Sequence, residues 1–126
     1  MATPQRRTGK SRLTFDDVRG AALALPQVEE YVCYGTPAFR VRKKLMARLR
    51  EDGETLVVKV DDLARQAWFA IDPEIYFLTD HYRGYPVMLV RFAGISAAAL
   101  HKIVDEAWQQ VAPKRLRENH PASSAS

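Results

Sequence analysis

The chain has 126 residues, 47% of them hydrophobic and 27% charged, with 19 lysines and arginines against 15 acidic residues and a formal charge of +4. This length suits one domain with one proper core, and the apolar and charged fractions exclude wholesale disorder. Cys33 is the only cysteine, which excludes an intrachain disulfide, and no apolar run approaches the ~20 residues that span a bilayer.

In chain order, residues 1–12 read as a flexible basic arm. Arg6, Arg7, Lys10 and Arg12 lie there without an acid, and no apolar stretch resembles a secretory signal. A reducing, cytoplasmic setting is the expectation. Thr14 and Asp17 form a capping-box pattern, and Phe15, Val18, Ala22 and Leu25 recur at helical spacing up to Pro26, predicting a helix over residues 14–25. A region of strands follows. Val28–Tyr34 is rich in β-branched and aromatic residues and stops at Gly35. In Ala38–Arg42, Phe39 and Val41 face one way and Arg40 and Arg42 the other. In Leu45–Arg50, Leu45, Ala47 and Leu49 oppose Met46, Arg48 and Arg50, with Lys43 and Lys44 in the preceding turn. The Asp52-Gly53 pair signals a tight hairpin, and in Leu56–Val60 the residues Leu56, Val58 and Val60 oppose Val57 and Lys59. Four such strands with short turns predict an antiparallel meander.

Asp61 or Asp62 caps a second helix with the stripe Leu63, Ala67, Trp68 and Ile71, ended by Asp72-Pro73. Ile75–Leu78 and Pro86–Phe92 predict two more strands around the loop Thr79–Tyr85. Ser96 caps a last helix whose stripe Leu100, Ile103, Val104, Ala107, Trp108 and Val111 closes at Pro113. The domain is expected over residues 13–117, with residues 118–126 as a disordered tail. The order α-β-β-β-β-α-β-β-α predicts an α+β fold: a two-layer sandwich with helices on one face of an antiparallel sheet and the other face open to solvent.

Several segments also resemble a known family. Ala24-Leu25-Pro26 with Glu29 and Glu30, Tyr34-Gly35-Thr36-Pro37-Ala38-Phe39, Leu56-Val57-Val58-Lys59-Val60, Asp72-Pro73-Glu74-Ile75-Tyr76-Phe77, His81-Tyr82-Arg83-Gly84, and Ala107-Trp108 with Ala112-Pro113-Lys114 are similar in order and spacing to the YjbR/MmcQ-like family. The resemblance covers about residues 14–117. It implies a compact sandwich similar to the frataxin-like fold and a DNA-binding role, with no agreed catalytic residues or cofactor. One departure stands at Asp80, where the family typically has Pro before the His-Tyr pair, which implies a looser or more acidic loop.

The tails carry the net charge: Lys114, Arg115 and Arg117 against Glu118 add +2 to the four cations of the arm, so the body from Leu13 to Pro113 sums to −2. Any case for an anionic partner therefore rests on arrangement. Strand alternation predicts Arg40, Arg42, Arg48, Arg50, Lys59 and Arg91 on the open face, a spacing suited to a phosphate backbone; the plainer reading is a solvated face that resists aggregation. The loop residues Tyr82, Arg83 and Tyr85 can stack on bases or pair with phosphate, or they simply pack over the sheet end. The leading expectation is a small non-enzymatic module that binds DNA with low sequence specificity, the basic arm adding phosphate contacts or serving only as a solubilising tail. The alternative is an adaptor or small-anion-binding domain, for an acidic protein segment or a metabolite, with a cleft near residues 81–85 ringed by Tyr34, His81 and Arg83.

No catalytic constellation is evident. Cys33 and His81 have no third orienting residue, and Cys33 reads as a small buried hydrophobe. No metal is expected: His81, His101 and His120 lack ligand spacing, and Asp16, Asp17, Glu29 and Glu30 show no convergence, Asp16 and Asp17 suiting a helix N-terminus. No phosphate loop, dinucleotide fingerprint or nucleophile elbow is present, so no cofactor is expected.

Overall fold

In the computed structural model, which describes residues 12–120, the chain enters its first helix at the predicted capping box. The Asp17 carboxylate accepts the Thr14 backbone N–H at 2.7 Å, and α1 runs Phe15–Leu23. The basic arm, apart from Arg12, and residues 121–126 of the tail lie outside the described residues. The strands are β1 Val28–Cys33, β2 Thr36–Val41, β3 Lys44–Leu49, β4 Thr55–Lys59, β5 Tyr76–Phe77 and β6 Val87–Arg91, with α2 Asp62–Ile71 before β5 and α3 Ala97–Val111 after β6. Asp61, not Asp62, caps α2 by accepting the Ala64 N–H at 2.7 Å, and Ser96 caps α3 through Ala99 at 3.0 Å. A short α4, Lys114–Glu118, follows Pro113; no periodic pattern in the sequence predicts it.

The strands form one six-stranded antiparallel sheet in the order β1-β2-β3-β4-β6-β5. The predicted four-strand meander is its first four members. One face meets the helices: Phe39, Val41, Ala47, Leu56, Val58, Met88 and Val90 pack with Val18 and Ala22 of α1, Trp68 of α2, and Leu100, Ile103, Val104, Ala107 and Trp108 of α3. Burial of these side chains is the main stabilising term. Trp108 is fully buried, and its indole N–H donates to the Pro26 carbonyl at 2.9 Å, which ties α3 to the link between α1 and β1. The α+β sandwich is as expected.

Four details differ from the sequence reading. First, strict alternation fails in β3. The β2–β3 register shifts between Phe39 and Arg40: Phe39 faces Ala47, yet Arg40 faces Leu45. Met46 is the extra residue of a bulge, which puts Met46 and Ala47 together in the core and sends Leu45 to the opposite face. Second, the two-residue hairpin turns sit at Tyr34-Gly35 and Arg42-Lys43, all four residues at positive φ. Lys44 thus opens β3, and Asp52-Gly53 belongs to a wider loop, in which the Asp52 carboxylate accepts from the N–H groups of Glu54 and Thr55 and from the Thr55 hydroxyl. Burial works against the Asp52 charge, but these bonds and nearby Arg50 outweigh it and hold the carboxyl below its usual range.

Third, α2 is turned by about one residue from the predicted stripe. Trp68 is buried, with Ala64 and Phe69 packed beside it, whereas Leu63 and Ile71 are 80% and 67% exposed. Two polar anchors set this rotation: the Trp68 indole N–H donates to Glu106 at 2.9 Å, and Arg65 donates to the carbonyls of Tyr85 and Val87 at 3.0 and 3.1 Å. Fourth, the face away from the helices is not simply open to solvent. Val57, Val87 and Leu89 form a second, smaller apolar cluster there, covered by Phe77, Leu78 and Tyr82.

Candidate functional site

The segment 79–86 crosses the second face as a strap. Asp80–Tyr82 makes a single 3-10 turn, Gly84 bends the backbone at φ +92°, and the Tyr85 N–H returns to the Tyr82 carbonyl at 3.1 Å. Only glycine adopts that φ without strain. Asp80, in place of the proline the resemblance implies, accepts from Arg83 across this turn. Strap and sheet border a half-open cavity of about 630 Å³. Its sheet side is Leu45, Arg48, Val57, Lys59 and Val87, and its rim is Tyr34, Glu51, His81, Tyr82, Tyr85 and Pro86.

The bulge is what gives the cavity an apolar side wall, because it turns Leu45 toward the strap. Val57 and Val87 follow from ordinary pairing: Val57 sits between Arg48 and Leu89, and Val87 faces Lys59. Arg48 is 8% exposed, which is unusual for an arginine, and it is held on all sides. It donates to the Thr36 hydroxyl at 2.9 Å, the Leu49 carbonyl at 3.2 Å and the Tyr82 hydroxyl at 3.2 Å, lies 3.7 Å from Glu51, and stands over the Tyr34 ring. The guanidinium thus latches the strap to β3. Lys59 has no ion-pair or hydrogen-bond partner among the described residues. Tyr34 and Tyr85 are 84% and 61% exposed at the rim.

The six cations predicted for the open face separate here. Arg40, Arg48, Arg50, Lys59 and Arg91 lie on the face away from the helices, at register positions opposite Glu29, Val57, Thr55 and Val87 or against the strap. Arg40 bonds Glu29 at 2.8 Å and stacks on Tyr31 at 4.2 Å. Arg91 donates to the Glu74 carbonyl at 2.8 Å and covers the Phe77 ring. Arg50 stands 5.9 Å from the Tyr82 ring centre. Arg42 departs from the group: it is in the β2–β3 turn, exposed, with its Nε donating to Gln27 at 3.0 Å. Of the predicted cleft residues, Tyr34 and His81 line the cavity with Tyr82 and Tyr85, while Arg83 points to Asp80 and lies outside the lining.

Cys33 sits on the edge strand beside Tyr31, whose hydroxyl is pushed up first by burial and then by its hydrogen bond with the thiol. His81 packs its ring edge-on against Tyr82 at 4.8 Å, and His120 does the same on Trp108 at 5.1 Å. The four acids of the first helix and strand are occupied locally: Asp17 in the cap, Asp16 and Glu30 on Arg19, Glu29 on Arg40. Among the described residues no cluster of three or more His, Cys, Asp or Glu side chains is placed to hold a metal ion. No helix among them is long and apolar enough to cross a membrane.

A family model described as YjbR matches residues 23–110, which contain every residue of the cavity lining. The chain belongs to the YjbR family. Uncharacterized proteins of Mycobacterium tuberculosis and Mycobacterium bovis are each 33% identical to it over 129 residues, spanning 88% of this chain and 98% of their own. A Deinococcus radiodurans protein of known crystal structure, with a DUF419 domain, has the same fold at a TM-score of 0.72 and 20% identity, over 87% of this chain and 94% of its own.

Sequence reasoning missed Leu45, Glu51, Val57, Pro86 and Val87. One signal was available. Leu56-Val57-Val58 and Val87-Met88-Leu89-Val90 are continuous apolar runs, the pattern of strands buried on both faces, and such runs require a cover over the second face.

Proposed function

We propose that the protein is a non-enzymatic small-molecule-binding module whose site is the cavity between the sheet and the strap at 79–86. The observation that carries this reading is the concavity itself: about 630 Å³, inside the ~300–1,000 Å³ range of small-molecule sites, with apolar walls and a few convergent polar groups. The arginines that a phosphate backbone would need on this face support it from the other side, since Arg40, Arg48 and Arg91 already serve Glu29, Thr36, Tyr82 and Glu74.

The probe is 8-anilinonaphthalene-1-sulfonate, whose emission rises in apolar cavities. Enhancement is expected with the folded protein and is expected to vanish in Leu45→Arg, which fills the cavity from its side wall outside the helix-facing core. No enhancement, or an enhancement that survives Leu45→Arg with the circular dichroism unchanged, overturns the reading.

A second reading, DNA binding, has its own observation. Arg42, Lys43 and Lys44 are three consecutive exposed cations at the tip of the β2–β3 hairpin. It expects a labelled duplex to bind at low salt with a slope that flattens when Arg42 and Lys43 are replaced by Ala. Absence of binding at low salt removes it.

A further inference from the structure

The cavity's charge and rings narrow what it takes. Its lining holds two cations, Arg48 and Lys59, and one acid, Glu51. Arg48 is less available to a ligand than Lys59, because both of its terminal nitrogens already donate, one to Thr36 and Leu49 and the other to Tyr82, and Glu51 stands 3.7 Å away. Lys59 stands in the wall opposite Val87 without a partner among the described residues. One uncompensated positive charge suits one negative charge. A dianion would leave its second charge unmet, because Arg48 already faces Glu51 and the lining holds no further cation beside Lys59. The rest of the lining is flat and apolar or aromatic. Leu45, Val57 and Val87 form the walls, and the rings of Tyr34, Tyr82 and Tyr85 border the mouth. Tyr34 and Tyr85 leave most of their surface exposed, and rings so placed favour offset or edge contacts with a planar partner.

We infer that the cavity takes a planar aromatic monocarboxylate, its ring system against Leu45, Val57 and Val87 and its carboxylate on Lys59. This rests on the cavity being a ligand site, and the experiment separates the two claims. Three probes share one ring system: 2-naphthoate, the neutral 2-naphthamide, and 2-naphthyl phosphate, a dianion at pH 8. Affinities are measured by calorimetry at pH 8 for the full chain and for Lys59→Met and Lys59→Arg. The naphthoate is expected to bind about fivefold or more tightly than the amide, a ratio of the size a partly exposed ion pair supplies. Lys59→Met is expected to abolish that preference while still binding the amide, and Lys59→Arg to retain it, with thermal unfolding confirming that both variants fold. Equal affinity for naphthoate and amide, or a preference untouched by Lys59→Met, overturns the carboxylate assignment and leaves the cavity as a neutral-ligand site. Tighter binding of the phosphate overturns the monoanion assignment. If neither naphthoate nor amide binds, the small-molecule reading itself fails with it.

Discussion

Arg48 donates to Thr36 on β2, to a carbonyl of its own strand and to Tyr82 on the strap, so one side chain joins three segments. The planar fork of arginine makes this possible, and lysine has neither the reach nor the fixed donor geometry. Arg48→Lys is therefore expected to cost about 1.5–3 kcal/mol, the range for hydrogen bonds to a charged group, read as a lower urea midpoint with an unchanged slope. A midpoint equal to the parent's would show that the latch contributes nothing. Asp52 makes a pH-dependent contribution. Its folded carboxyl titrates below the ordinary value, so its stabilisation is fully present above the unfolded pKa of about 3.9 and is lost as pH falls through the folded one. Asp52→Ala is expected to melt below the parent at pH 7, with the gap narrowing as pH drops from about 4 toward 2. A gap that stays constant over that window would assign the residue a role independent of its charge.

At the level of elements, the bulge in β3 gives the sharpest test of register. With Met46 fully buried and Leu45 half-buried on the cavity side, Met46→Ala is expected to cost about 2–5 kcal/mol and Leu45→Ala no more than about 1 kcal/mol, compared by chemical denaturation. Uninterrupted alternation predicts the reverse order. The elements themselves were legible because their signals are local: Thr14 with Asp17, Asp61 and Ser96 announce helix starts, and Phe39-Arg40-Val41 alternates cleanly. The misread details depend on partners far along the chain. Nothing in Leu45-Met46-Ala47 marks the bulge, since Leu and Met are interchangeable by pattern and only the pairing with Arg40 and Phe39 decides. The rotation of α2 is likewise set by Glu106 and by the carbonyls of Tyr85 and Val87, so its apolar stripe Leu63, Ala67 and Ile71 pointed the wrong way. The turns at Tyr34-Gly35 and Arg42-Lys43 were half legible: glycine marks the first, whereas Arg42 and Lys43 carry none of the usual residues for positive φ.

For the whole molecule, the sandwich of helices on one sheet face followed from three amphipathic helices needing one apolar surface. The candidate site is legible only in part: the sequence points to Tyr34 and His81 at a cleft, but alternation draws the eye to the cations of the open face, as a phosphate-binding or solvated surface, and away from the apolar residues between them. The second apolar cluster under the strap shows what that omitted. It also changes how an occupant can be found. Anything that binds the folded chain and not the unfolded one raises stability by mass action, by about 2.7 kcal/mol at a hundredfold excess over its dissociation constant. Because the cavity lies between the sheet and a strap that packs on the sheet's own apolar cluster through Tyr82 and is held there by Arg48, a site with both walls exists only in the folded state. The melting temperature of the chain is thereby an assay in its own right, able to rank crude metabolite fractions before any component of them has a structure.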